Sequence, residues 1–159
     1  RTDREIAELY ERHKKTVYRV CFAYMKNAAD TEDAVQDAFF RLIKSGTAFE
    51  SVEHEKAWLI RTASNCCKNT LRSWWRKRER LDDCGNLRAG ENVETNDIFN
   101  AVMGLPDKYK TPIYLYYYEG YDSAEISKIL RKPPSTIRNH LREARIALRK
   151  KLGGDFYEE

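Results

Sequence analysis

The chain has 159 residues and a formal net charge of only +4, with 42% hydrophobic and 34% charged residues, which allows one domain or two small ones. No apolar run approaches membrane-spanning length and no signal peptide is visible, so direct insertion into a membrane is not expected. The cysteines at 21, 66, 67 and 84 form no CxxC pair, a poor arrangement for structural zinc; reduced thiols in a cytoplasmic protein are expected, with Cys67 in the core.

Ile6, Leu9, Tyr10, His13, Val17, Cys21 and Tyr24 follow a helical period and predict a first helix over 4–26. His13 falls on its apolar side and reads as a packed histidine, not a ligand. Residues 27–30 read as a turn, and Thr31 as the cap of a second helix ending near 44, with Glu32 and Asp33 where the helix dipole favours acids. Its buried stripe is Ala34, Val35, Ala38, Phe39 and Leu42. After a glycine-containing loop over 45–51, a long third helix is predicted over 52–80. Trp58, Ala63, Cys67, Leu71 and either Trp74 or Trp75 form its expected core side. Arg61, Asn65, Lys68, Asn69, Arg72 and Arg76 form a polar stripe. Arg and Asn suit base edges, and Lys and Arg suit phosphates; a merely solvated face is the plainer alternative for this helix alone.

Residues 81–96, rich in Asp, Asn and Gly, hold too few apolar side chains to pack and predict a linker. Ile98, Phe99, Val102 and Met103 begin another helix, which Leu105-Pro106 ends, and Pro112 is expected at the start of the next. Ile113, Leu115, Tyr116 and Tyr117 would pack that helix against the helices beyond Gly120, with the tyrosine run 114–118 at the core or its edge.

Gly120 then closes a helix, and Asp122 with Glu125 makes a capping box for a short one carrying Ala124, Ile126, Ile129 and Leu130. Arg131-Lys132-Pro133-Pro134 breaks it, and Ser135 or Thr136 restarts the chain as a helix with Ile137, Leu141, Ala144, Leu148 and Leu152 inward. Arg138, Asn139, His140, Arg142, Arg145, Arg149 and Lys150 occupy the other faces. Two helices with a second rich in Arg and Asn is the pattern that reads a DNA major groove; a helical hairpin with a solvated basic face is the bland alternative. Residues 131–151 carry +7 and residues 61–80 carry +6, which leaves −9 for the rest of the chain. Such clustering, hidden by the small total, is what displaces phosphate counterions.

The expected architecture is therefore all-α: two small helical domains, 1–80 and 97–159, joined by a flexible linker over 81–96, the second containing a helix-turn-helix. No phosphate-binding glycine loop, metal-ligand spacing or nucleophile–base pair supports an enzyme, a cofactor or a small-molecule substrate. A simple DNA-binding regulator would account for 122–151 but not for the Arg61–Arg76 stripe.

Three segments resemble one family. Asp30-Thr31-Glu32-Asp33-Ala34-Val35-Gln36-Asp37-Ala38-Phe39 is similar to the D-A-E-D-x-x-Q-x-x-F segment of bacterial extracytoplasmic-function sigma factors. Trp58-Leu59-Ile60-Arg61-Thr62-Ala63-Ser64-Asn65 resembles their W-L-x-x-I-A-x-N segment. Leu105-Pro106, then 118–126, then Thr136-Ile137-Arg138 resembles their second domain, so the likeness runs in order along nearly the whole chain.

The resemblance implies RNA polymerase core and promoter DNA as partners, with an anti-sigma protein as inhibitor. It implies that Asp33, Gln36, Asp37, Phe40 and Arg41 contact the polymerase clamp. It places −10 reading on Asn65 and Asn69 with Arg61, flanked by Lys68, Arg72 and Arg76, and a flipped base near the loop 45–51. It places −35 bases against Arg138, Asn139 and Arg142, with Ser135, Thr136, Arg145 and Arg149 holding phosphates or buttressing the helix. Ser135, His140 and Glu143 depart from the family pattern; Glu143 would accept from a cytosine amino group or pair with Arg142 or Arg149, so the −35 preference does not transfer.

Overall fold

The computed structural model describes residues 1–81 and 97–152. Seven helices are described, α1 (Asp3–Met25), α2 (Ala28–Ser45), α3 (Val52–Leu81), α4 (Asp97–Met103), α5 (Asp107–Tyr117), α6 (Ser123–Leu130) and α7 (Pro134–Leu152), and no strand occurs among the described residues. The chain divides into two compact units, Arg1–Val93 and Glu94–Glu159. The expected linker, beyond its first residue, lies outside the described residues, as does Cys84.

In the first unit α1, α2 and α3 pack pairwise on one another. A capping box starts α1: the Glu5 N–H donates to Thr2 Oγ1 at 3.2 Å and the Thr2 N–H to Glu5 Oε2 at 3.0 Å. Leu9, His13, Val17, Val20, Cys21 and Tyr24 are buried, and Lys26 closes the helix in the left-handed region at φ 68°. The start of α2 differs from expectation. Asn27 caps it, accepting from the Asp30 N–H at 2.9 Å, so 28–30 is helix and not turn. Thr31 sits inside the first turn, its hydroxyl donating back to the Asn27 carbonyl at 2.6 Å. The expected stripe Ala34, Val35, Ala38, Phe39 and Leu42 is buried throughout.

On α3 the core side is Leu59, Ile60, Ala63, Ser64, Cys66 and Cys67. The expectation that Trp74 or Trp75 packs inward is corrected: Trp74 is 37% and Trp75 60% exposed. Near its start, Glu55 ties α3 to α1, accepting from buried His13 Nε2 at 2.9 Å and from an Arg12 guanidinium N–H at 2.6 Å. His13 is thus a packed histidine with a carboxylate partner.

In the second unit α7 packs on α4, α5 and α6. Pro112 lies in the middle of α5, not at its start; its neighbours Thr111, Ile113, Tyr114 and Leu115 are all buried, so packing holds a helix that proline locally weakens. The Asp122–Glu125 capping box of α6 is present, with the Glu125 N–H donating to Asp122 Oδ1 at 2.8 Å and the Asp122 N–H to Glu125 Oε1 at 3.1 Å. Arg131 closes α6 in the left-handed region at φ 54°, and the next N–H, of Lys132, folds back to the Ser127 carbonyl at 3.2 Å. α7 then starts at Pro134, one or two residues before either expected cap, because the N–H that proline lacks has no helical partner at that position anyway.

Candidate nucleic-acid and polymerase interfaces

Three helix faces carry the candidate residues. On α3, Asn65, Asn69, Arg72 and Arg76 are exposed or nearly so and Arg61 and Lys68 half-buried, all turned away from the line of Leu59, Ala63 and Cys67. The fold thereby gathers them on one accessible stripe of a single helix. The loop 46–51 that precedes this helix begins at Gly46, in the left-handed region at φ 63°, which a side-chain-free residue adopts without strain. Phe49 in that loop makes edge contacts with the rings of His54 and Trp58, at 5.2 Å and 6.0 Å between centroids. Those contacts fix the loop against the first turns of α3.

On α7, Ile137, Leu141, Ala144 and Leu148 are buried, which turns Ser135, Arg138, Asn139, Arg142 and Arg149 to solvent. Thr136 is half-buried. Arg145 is half-buried too, and its guanidinium lies 4.6 Å from the centre of the Tyr116 ring on α5. This cation–π contact makes it a brace between the two helices. Glu143 meets a partner that the sequence does not suggest: it accepts from the Tyr109 hydroxyl. That hydrogen bond, with the nearby charges of Lys108, His140 and Arg142, holds its carboxyl below the ordinary carboxylate value against the opposing effect of desolvation. Tyr109 was missed from the sequence; its spacing from Glu143 reveals nothing, since the two meet only through packing of α5 on α7.

On α2, Asp33, Gln36, Asp37, Phe40 and Arg41 are exposed. The Phe40 ring is 53% exposed, with the Lys44 ammonium 4.6 Å from its centre. Asp37 pairs with Arg41 at 3.6 Å and also reaches α3. Burial first, then a hydrogen bond to the Asp37 carboxylate, pushes the Cys66 thiol up to about 12. The Cys21 thiol, hydrogen bonded to Cys67 and buried, is likewise held far above the ordinary thiol range. Among the described residues no cluster of His, Cys, Asp and Glu could hold a metal ion, and no helix is long and apolar enough to cross a membrane.

The family comparisons agree with this division. The model of sigma-70 region 2 matches residues 9–79, and the model of sigma-70 region 4 matches residues 95–148. Those two regions in that order make a sigma-type transcription initiation factor. The chain is 27% identical to the ECF RNA polymerase sigma factor SigW of Bacillus subtilis over 92% of its own length and 88% of that protein's. It is 28% identical to SigV of the same organism over 83% of this chain and 81% of that one. The sigma factor RpoE of Bartonella quintana, solved in complex with the anti-sigma factor NepR, shares its fold, with a TM-score of 0.76 at 19% identity over 96% of this chain and 99% of that one. CnrH, solved in complex with the cytosolic domain of CnrY, does so with a TM-score of 0.69 at 18% identity over 98% of this chain and 92% of that one. The chain belongs to the extracytoplasmic-function sigma factors, which direct bacterial RNA polymerase to a promoter class and start transcription.

Proposed function

We propose that three faces divide this work. The α2 face of Asp33, Gln36, Asp37, Phe40 and Arg41 docks on the polymerase core. The α3 stripe of Arg61, Asn65, Lys68, Asn69, Arg72 and Arg76 takes the −10 element, with the loop 46–51 receiving an extruded base. Extrusion costs a few kcal/mol, so a loop held at the head of the reading helix by the Phe49 ring contacts is physically apt. The exposed arginines and asparagine of α7 read the −35 element: Arg138, Asn139 and Arg142 face bases, Ser135, Thr136 and Arg149 hold phosphates, and Arg145 braces the helix. The protein performs no catalysis itself and acts in the cytoplasm, where polymerase and DNA are.

The observation that carries this reading is the pairing of an acidic and aromatic face on α2 with two separate basic, asparagine-bearing faces on α3 and α7. A regulator that only binds DNA needs one basic face and no acidic neighbour. By analogy with RpoE and CnrH, whose solved structures hold NepR and the cytosolic domain of CnrY, an anti-sigma protein restrains this chain until a signal arrives. Sequencing the transcripts started in vitro by core polymerase plus this chain tests the assignment. Discrete start sites sharing paired −35 and −10 sequences are expected; no promoter-specific transcript on any genomic template would refute it.

A further inference from the structure

Arg1 lies against the loop that leads into α3, although 46 positions of sequence separate it from Thr47. Its guanidinium ties the near end of that loop together. Nη1 donates to the Leu42 carbonyl in the last turn of α2 at 3.1 Å, and Nη2 donates to the Thr47 carbonyl just past Gly46. The same group sits 5.0 Å from the centre of the Phe49 ring. A planar fork can bridge two carbonyls and lie against a ring at once; a lysine ammonium, one compact charge, cannot. The end of α2 also favours a cation, because its last carbonyls carry partial negative charge. Ser45 completes the arrangement, its Oγ accepting from the Thr47 N–H at 3.2 Å and donating to the Leu42 carbonyl at 2.8 Å.

The far end of the loop is held by α3. The Glu50 N–H donates to His54 Nδ1 at 3.2 Å and the His54 N–H to Ser51 Oγ at 3.0 Å, beside the ring contacts of Phe49. Exposed Ala48 lies between the two anchors. A loop fixed at both ends loses little freedom when a base enters it. One fixed only at α3 must be ordered at that moment, and apparent affinity falls with the fraction of loops already in the receiving form. Arg1 is exposed, so losing its contacts should disturb the placing of the loop more than the stability of the unit. We propose that Arg1 is a positioning residue that holds the loop 46–51 in its base-receiving form and so sets how readily the −10 element opens. This rests on that loop taking an extruded base, and adds to it a strap from outside the helix that reads the DNA.

The test uses the full chain assembled with polymerase core on a promoter that this holoenzyme uses. A fluorescent base analogue, whose emission rises when it leaves the stack, replaces each −10 base in turn. The variants are Arg1→Ala, Arg1→Lys and, as a control on the loop, Ala48→Glu, which sets a carboxylate in the path of the strand. Circular dichroism and a urea melt check that each is folded. Arg1→Ala should slow the fluorescence rise at a −10 base by about fivefold, within a range on the order of threefold to thirtyfold for two lost hydrogen bonds. Arg1→Lys should recover only part of that loss. The Kd for core, the Kd for a duplex holding only the −35 element and the urea midpoint should barely change, by less than about twofold in either Kd. Loss with Ala48→Glu but none with Arg1→Ala would overturn the positioning role and leave the loop standing. So would full recovery with Arg1→Lys, which would mark a charge acting on phosphates, or an equal loss of −35 duplex binding, which would mark a general structural role. An unchanged fluorescence rise at every −10 base in Arg1→Ala and Ala48→Glu alike would remove the base-receiving loop and the strap together.

Discussion

Truncating Phe40 offers the sharpest test of the polymerase-facing surface, because more than half of its surface is open to a partner. An aromatic side chain carries about 150–250 Å² of surface, so 53% exposure leaves roughly 80–130 Å² open to a partner. Covering that area at about 25 cal/mol per Å² yields ~2–3 kcal/mol, or about a 30- to 150-fold change in Kd when the ring is removed. Within the free protein Phe40→Ala forfeits an exposed cation–π contact with Lys44, about 0.5–1 kcal/mol, and the packing of the covered part of the side chain, at most about 2–3 kcal/mol on the same area bookkeeping. Phe40→Leu should fall between the two. The assay is equilibrium binding of labelled full-length protein to polymerase core, beside a urea melt of each variant. A folded Phe40→Ala protein that binds core with unchanged Kd would refute the assignment of this face. Asp37 is a poorer probe, because its carboxylate also meets Cys66 and a charge reversal there would disturb the α2–α3 seam.

Arg138→Ala should relax −35 sequence preference by about 1–3 kcal/mol at one base pair, whereas Arg149→Ala, three turns on, should weaken all sequences evenly and lower the salt slope by about one; a −35 variant library at two salt concentrations separates them. The reverse pattern would mean that α7 enters the groove by its other end. Asn65→Ala and Asn69→Ala should reduce permanganate-detected promoter opening more than gel-shift binding, and equal loss of both signals would count against a role in melting. Glu143→Gln should destabilise the chain near neutral pH but not in strong acid. Because the folded carboxyl titrates below its ordinary value of 4.5, its contribution is complete above that value and disappears as pH falls through the lowered one. Thermal melts across that window should show wild type and variant converging on the acid side, and a constant difference at all pH values would reject the Tyr109–Glu143 bond as the cause.

Much of this architecture was legible in the sequence because the signals were local. The buried stripe of α2 follows from spacing alone, and the Asp122–Glu125 box announces α6. Where the sequence misled, two local options were equally good or the decision was not local. Asn27 and Thr31 are both competent caps; Asn27 prevails, and the Thr31 hydroxyl is satisfied by the Asn27 carbonyl inside the turn. Pro112 looks like a helix start, yet burial of the residues around it outweighs the lost hydrogen bond. Periodicity says which side of α3 a tryptophan lies on but not where the body of the unit ends, and so the expectation of one inward tryptophan, Trp74 or Trp75, fails. The Tyr109–Glu143 bond joins residues 34 apart in sequence and has no signature short of the packed structure.

The three buried cysteines have a practical consequence. A thiol reacts with alkylating reagents only as thiolate, and Cys21 and Cys66 are held protonated by burial and by their neighbours. Reagent must wait for the first unit to open, so the labelling rate of these positions becomes a clock for that opening. Cys66 adds a directional reading, since it lies against Asp37 beneath the proposed polymerase face. When core binds there, its clock should slow together with that of Cys21, turning an inert side chain into a native gauge of how firmly the subunit is held.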